Sequence, residues 1–518
     1  MFRTKAGTLN ANQTDAIVIG SGPNGLAAAI TLAERGRSVR VLEARHTLGG
    51  AVATGEVTLP GFHHDLYSAV YPAGAASPVF ARWPLAKYGL RWVHPAVAMA
   101  HPLPDGRAAA LYRDLDATAA NLNRFAPGDG DRWQTLMTPY LRRFETMRAV
   151  MLSGWPPVAG GIRFLAQFRI DASLEFARLL LLSAEALAHE LFRSAEATAW
   201  LYGSAMHADV PNRESGSAIS GFYLNLLGHA VGWPSPEGGA GQLTRALVGY
   251  LHALGGETHT DSVVTAIRTA DGHVRGVIIA NGEEYTAPVV IADSTPSALI
   301  RLAGDALPDG YTQRLRRYRN GPASFKVDWA LDGPIPWSSP VVRQAGTVHV
   351  GGTTADLNRG LDEQREGVLP AHPFLLLGQQ SLADLTRAPA GKHTAWGYTH
   401  VPAGIEWAHE TERHLERVEA QVERFAPGFR DRILARHLTT PPDFSQQNAN
   451  LIEGDVGGGS YALDQLIFRP LPSLSPYRTP IRGLYLASAS TFPGAAVHGV
   501  SGHAAAQAAL TDSRLRRI

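Results

Sequence analysis

The 518-residue chain has no cysteine. That excludes disulfides, iron–sulfur ligation, a thiolate nucleophile, a cysteinyl link to a prosthetic group and the redox dithiol of disulfide reductases. Long apolar runs are missing too: no window reaches about 18 uninterrupted apolar residues, so no transmembrane helix is expected. Neither sign of charge prevails. With 47 Lys+Arg against 46 Asp+Glu, the net charge of +1 gives no basic field to attract a nucleic acid. The densest basic cluster, Arg314-Leu-Arg-Arg-Tyr-Arg319, reads as a solvated helix face. The 20 histidines include no HExxH, and His63, His64, His400, His414 and His437 show no ligand spacing, so no metal is expected. Met1 to Thr14 is polar and carries no apolar h-region, which argues against a secretory signal. The expectation is a cytoplasmic protein with at most peripheral membrane contact, and with self-association left open.

What is present is an ordinary globular balance, 45% hydrophobic and 18% charged, in a chain long for one domain and comfortable for two interleaved ones. The informative feature comes early. Asp15-Ala-Ile-Val-Ile-Gly20-Ser-Gly22-Pro-Asn-Gly25 is an apolar β-run entering a G-x-G-x-x-G triplet that opens an Ala-rich helix. A second β-run, Ser38-Val-Arg-Val-Leu, ends in Glu43, which lies 18 residues beyond Gly25. Gly20 suits the tight turn, Gly22 lets the backbone approach a pyrophosphate, and Gly25 lets helix and strand pack closely. The helix N-terminus offers N–H groups and a positive dipole end, and Glu43 suits a ribose. The N-terminus therefore reads as a dinucleotide site.

A second glycine pair, Gly49-Gly50, follows directly and lets another loop close over the same pyrophosphate, as a permanently buried cofactor requires. Near the other end, the β-run Gly483-Leu-Tyr-Leu-Ala-Ser leads through Thr491-Phe-Pro-Gly494-Ala-Ala-Val-His498-Gly499 into a second Ala-rich helix, expected from His503 to Leu510. A helix start aimed at an isoalloxazine ring would stabilise negative charge on the reduced flavin.

With these residues in hand, the chain resembles the phytoene desaturase-like FAD-dependent oxidoreductases, in the subgroup of the pyridine nucleotide-disulphide oxidoreductase domain-containing protein 2 type. The resemblance rests on Leu42-Glu-Ala, Leu48-Gly-Gly, Gly61-Phe-His-His-Asp65-Leu-Tyr-Ser, Pro236-Glu-Gly-Gly, Glu453-Gly-Asp, Leu463-Asp-Gln-Leu-Ile-Phe-Arg-Pro470 and Gly483-Leu-Tyr-Leu. It implies an α/β fold: a Rossmann-like FAD-binding domain of the amine-oxidase (GR2) type interleaved with a mixed α+β substrate domain. FAD-binding parts are expected at 14–70, 236–297 and 448–515, with substrate-domain parts at 71–235 (mostly helical) and 298–447. It also implies FAD held by Gly20, Gly22, Pro23, Asn24, Gly25, Glu43, Ala44, Arg45, Gly49, Gly50, Ala51, Val264 (beside the adenine), Asp293, Ser490, Gly494, Val497, His498, Gly499 and Val500. One departure stands out. The family's further glycines after Gly494 are here Ala495 and Ala496, so either those positions have ordinary backbone or the loop's approach to the flavin is altered.

The middle of the chain is quieter. Strands are expected around 262–268, 274–280 and 287–292, a cap for the next helix at Ser294 or Thr295, and a β-run at 323–331. The apolar run from Leu174 is expected to be a buried helix, a membrane-facing or tunnel helix being the other reading. Among Trp155, Trp233, Trp329 and Trp337, pocket lining competes with simple packing. The activity implied is a dehydrogenase or desaturase that takes a hydride from a C–C or C–N bond of an apolar small molecule onto flavin N5, with reoxidation by O2 or a quinone. A flavin amine oxidase, a reduced-flavin saturase or isomerase, and a non-catalytic flavin-holding protein are the alternatives. His64 and Asp65 are the candidate catalytic groups. A structural hydrogen-bonded pair is their bland alternative.

Overall fold

The computed structural model describes residues 12–515; most of the polar stretch at 1–14 lies outside them. Five strands form a parallel sheet in the order Leu484–Leu486, Val289–Ala292, Ala16–Ile19, Val39–Leu42, Glu257–His259. Its strands thus come from three distant stretches of chain. The first strand, AIVI, is buried on both faces, as a parallel strand covered by helices must be.

The helix Pro23–Ala33 follows Gly22, which is extended, and has proline in its first turn, where a missing N–H costs nothing. Its Ala and Gly residues allow backbone contact. A Cβ on Gly25 would sit 2.1 Å from the Gly20 carbonyl oxygen, and one on Gly502 would sit 1.8 Å from that of Asn24. The second contact brings in the C-terminal helix Val500–Arg514, so both ends of the chain meet at one place. That helix starts three residues earlier than expected. Gly499, in the left-handed region, caps it, and the weak helix formers Ser501 and Gly502 had hidden its first turn.

A second sheet of seven strands has the order Ile433–Thr439, Ala323–Leu331, His393–Val401, Leu375–Gly378, Ala345–Val350, Val97–Pro102, Ala108–Leu111. The stretch 71–235 is mostly helical, as expected, but it also supplies the last two of these strands, which were not foreseen. Their runs are rich in alanine, a residue depleted in strands, and carry no two-residue alternation. The strand expected at 323–331 forms as Ala323–Leu331, and Thr295 caps the helix Pro296–Ala303, accepting the Ala298 N–H at 3.2 Å. Trp329 and Trp337 are packed, their indole N–H groups donating to Glu419 (3.0 Å) and Gln379 (2.9 Å).

The run from Leu174 departs from expectation. The helix Ile170–Leu181 buries Phe176 and Leu179 but leaves Ile170, Leu174 and Leu181 more than 60% exposed, at 66%, 63% and 62%. It is apolar on both sides, so hydrophobicity alone did not reveal which side is covered.

A fully buried guanidinium ties the two units together. Arg387, beyond the strand Leu375–Gly378, donates to Asp65 at 2.9 Å and to Asp384 at 2.8 Å. Asp65 also accepts from Thr54 Oγ1 at 2.9 Å and the Ala240 N–H at 2.7 Å. Replacing Arg387 by Met leaves two buried carboxylates without their cation. The expected loss is about 3–5 kcal/mol of stability, read from denaturant unfolding.

Candidate active site

Between the two sheets lies a cavity of about 1190 Å³. A usual small-molecule pocket holds roughly 300–1,000 Å³, so there is room for a dinucleotide and a second ligand. One end is lined by Gly20, Gly22, Pro23, Asn24, Glu43, Ala44, Arg45, Gly50 and Ala51 from the first turn and its neighbour, with Val264 and Asp293. Ser490, Val497 and His498 line it from the C-terminal loop.

Five of the expected cofactor residues do not line the cavity. Gly25 serves helix–strand packing, and the Gly49 N–H donates to Ser21 Oγ at 3.0 Å. Gly494 makes room for the buried Arg469, whose Nη1 would lie 2.2 Å from a Cβ there. Gly499 and Val500 start the last helix. These five shape the wall from behind.

Two acids meet at the first turn, and both are engaged by the protein. Glu43 accepts the Ser21 N–H (2.9 Å), the Ser21 hydroxyl (2.6 Å) and the Arg45 N–H (3.0 Å). Asp293 accepts the Gly25 N–H at 2.8 Å, one of the helix N–H groups expected to face a phosphate. Burial, with Glu43 nearby, pushes the Asp293 carboxyl from its ordinary 3.8 up to about 7 against the pull of that N–H. Near neutral pH it therefore holds a proton part of the time, which lessens repulsion of an anionic diphosphate.

The fit of this end to FAD can be tested on unpaired atoms. Asn24 Oδ1, Ser294 Oγ and His498 Nε2 are buried in residues of the wall and have no protein partner. Burial holds His498 at about 4, so the imidazole is neutral, and its Nδ1 accepts the Val500 N–H at 3.0 Å. Gly22 and Gly50 also approach so closely that a Cβ on Gly50 would lie 3.0 Å from the Gly22 Cα. A bare backbone cradle with unsatisfied polar atoms around it suits a diphosphate, ribose and flavin. The alanines that replace the usual glycines resolve differently from each other. Ala495 has ordinary backbone, whereas Ala496 has φ 74 and bears the strain of the left-handed region beside the cavity.

His64 and Asp65 correct the expectation of catalytic groups. Neither lines the cavity. Asp65 is spent on the Arg387 clasp, and the His64 Nε2 meets Thr58 Oγ1 at 2.8 Å, its Nδ1 lying 3.6 Å from Asp328. They point to opposite sides of one short strand and bond to different partners, so they are not a pair either. Burial, reinforced by Lys326, holds His64 at about 3.

Of the charged groups in this cluster, the one that does reach the wall is Lys326, which the sequence reading missed. It is 2% exposed and ion-paired with Asp328 two residues along the strand Ala323–Leu331. The available signal was a lysine and an aspartate at i and i+2 in a strand whose other residues, Ser324 apart, are apolar. Opposite Lys326 in the antiparallel register lies Tyr398, and Ser324 faces His400. One face of the large sheet thus presents Ser324, Lys326, Thr347, Trp396, Tyr398 and His400 to the cavity. Facing it, Leu152, Trp155, Phe176, Leu180 and Leu224 give an apolar side.

Comparison with known proteins bears on the family and the fold. The sequence model for flavin containing amine oxidoreductase matches residues 24–510. The chain is 26% identical over 547 residues to the pyridine nucleotide-disulfide oxidoreductase domain-containing protein 2 of Rattus norvegicus, covering 96% of this chain and 93% of that one. A limonene dehydrogenase polypeptide of Castellaniella defragrans is 24% identical, with 97% and 95% covered. In three dimensions the fold is similar to that of cyclohexylamine oxidase from Brevibacterium oxydans, with TM-score 0.58, 17% identity, and 97% and 100% of the two chains covered.

Two outcomes are expected. In protein freed of nucleotide, the contribution of Asp293 to stability is complete below about pH 4 and is lost as pH rises to about 7, because the folded carboxyl keeps its proton longer than the unfolded one. Asp293→Asn keeps an acceptor for Gly25 and should flatten that slope in urea midpoints measured across this range. Ala496→Gly should be neutral or stabilising by up to about 1 kcal/mol, whereas Ala496→Val should destabilise, in equilibrium unfolding.

Proposed function

Because the chain belongs to the flavin containing amine oxidoreductase family and is an FAD-dependent oxidoreductase, we propose that its substrate is an amphipathic small molecule with a polar group beside the carbon that is oxidised. FAD, when bound, supplies a two-electron acceptor for a hydride. The observation that carries the reading is a row of buried polar atoms without protein partners on the sheet face of the cavity: Ser324 Oγ, Thr347 Oγ1, Trp396 Nε1 and both ring nitrogens of His400. Unpaired buried groups of this kind favour a ligand that satisfies them, and disfavour one that does not.

Each side of the cavity has a part in this reading. The row orients the polar group, and the facing aliphatic and aromatic side chains take the apolar body and exclude water. Burial holds His207 at about 3 and His400 at about 4, so the substrate meets neutral imidazoles that exchange hydrogen bonds rather than charge. Lys326 brings its Nζ to the wall and is ion-paired there with Asp328. It is the group best placed to stabilise negative charge that develops during oxidation or to order a water. A hydride leaves the substrate carbon, and a proton leaves the adjoining carbon, oxygen or nitrogen for the water that Lys326 orders. Reoxidation by O2 or a quinone closes the cycle.

Oxidation of an amine is the second reading. Tyr223, Tyr398 and Tyr461 line the same cavity, and Asp209, which accepts the Tyr461 N–H at 2.6 Å, adds a carboxylate suited to a second, protonated nitrogen. Limonene dehydrogenase and cyclohexylamine oxidase name one hydrocarbon and one amine among the proteins this chain resembles.

Anaerobic bleaching of the bound flavin tests both readings. On one cyclic terpenoid skeleton, the alcohol or the amine should reduce the flavin faster than the parent hydrocarbon; faster reduction by the hydrocarbon sinks the role given to the polar row. The double variant Lys326→Met/Asp328→Asn, which avoids a lone buried carboxylate, should keep its FAD yet slow reduction roughly 100-fold.

A further inference from the structure

Two consecutive helices, Val158–Gln167 and Ile170–Leu181, bury aromatic side chains on one side and expose large aliphatic ones on the other. Inside, Phe164 stacks on Phe168 with centroids 4.3 Å apart and meets Phe176 at 5.0 Å. Outside, Val158, Ile162 and Leu165 recur at helical spacing on the first helix, and Ile170, Leu174 and Leu181 do so on the second. Their exposures run from 58% to 66%. A water-facing helix normally carries polar residues on that side, and an apolar patch of this kind marks an interaction surface.

Charge and position indicate what covers it. Residues 142–182 contain six arginines and three acids, whereas the whole chain is nearly balanced. Arg163 and Arg169 are exposed beside the aliphatic side chains and have no acidic partner among the described residues. Long cationic side chains flanking an apolar helical face are what an interfacial helix presents to anionic headgroups. Among the described residues no helix is long and apolar enough to cross a membrane, so the pair could lie on a bilayer but not span it. The face also adjoins the cavity. Ala177 and Leu181 line it and are exposed, as is Ile467 at the end of the short helix Leu463–Ile467, whose next residue, Phe468, packs edge-on against Trp155 at 6.0 Å.

We propose that the outer face of these two helices docks on an anionic phospholipid bilayer, and that the cavity opens through this face. A substrate with an apolar body then passes from the lipid to the cavity without crossing water. This delivery role rests on the redox reading above; the docking itself does not.

Sedimentation of the FAD-loaded protein with vesicles tests the docking without any turnover. The protein should bind vesicles of phosphatidylcholine mixed with phosphatidylglycerol better than phosphatidylcholine alone, and salt should weaken the difference. Ile162→Gln/Leu165→Gln/Leu174→Gln, at positions outside the cavity wall, should lower partitioning at least about tenfold while the flavin spectrum is kept. Arg163→Gln/Arg169→Gln should remove the preference for anionic lipid, by roughly fivefold per arginine at low salt. Wild-type protein that stays in the supernatant with both vesicles overturns the proposal, as does a triple Gln variant that binds as well as wild type. A wild-type dimer in light scattering that the same three substitutions turn into a monomer would assign the face to a second copy instead, and also overturns it.

Discussion

Contact between backbones at two glycines underlies the rest of the architecture. At Gly25 the first helix lies against the turn that precedes it, and at Gly502 the last helix lies against the first, in both cases with no space for a Cβ. Because these contacts involve main-chain atoms, no rotamer change can relieve an added methyl group. They hold the N-terminal glycine turn and the C-terminal loop at the same end of the cavity, and so bring together groups from residues 20–51 and 490–498. The parallel sheet, with strands from three separate stretches, is the consequence at the level of topology.

A second constraint is electrostatic. Arg387 is shared between Asp65 and Asp384 in a buried site that also holds the Ala240 N–H and Thr54, so the nucleotide-binding unit and the large sheet share one set of charges. The pair Lys326–Asp328 lies one step further along, linked through the 3.6 Å approach of His64 to Asp328. Burial keeps that histidine neutral, and the cluster ends at the cavity wall with the buried lysine lining it. Groups that look catalytic in sequence are here the support, and the group they support faces the ligand.

The cavity has a polar side and an apolar side for a simple reason. A strand alternates its side chains, so one face of Ala323–Leu331 and His393–Val401 can present Ser324, Lys326, Trp396, Tyr398 and His400 while the other packs into the core. The opposing helices and their connection meet that face with leucine, phenylalanine and tryptophan. The same helical layer has apolar residues left over on its outer side, next to where the cavity wall becomes exposed.

What the amino-acid sequence determined by itself was the nucleotide end: the glycine triplet, Glu43, the second glycine pair and the C-terminal loop are local patterns, each dictated by a turn or a helix start within a few residues. The strand Ala323–Leu331 was legible for the same reason, through its β-branched and aromatic content. Tertiary structure alone decided the rest. Val97–Pro102 and Ala108–Leu111 become strands because a sheet edge is there to pair with, against the preference of their alanines. Asp65 and His64 were drawn into a buried cluster by Arg387, Thr58 and Asp328, partners up to 322 residues away in the chain. Which side of an apolar helix faces water, and which lysine reaches a cavity, depend on what packs against them, and no local pattern encodes that.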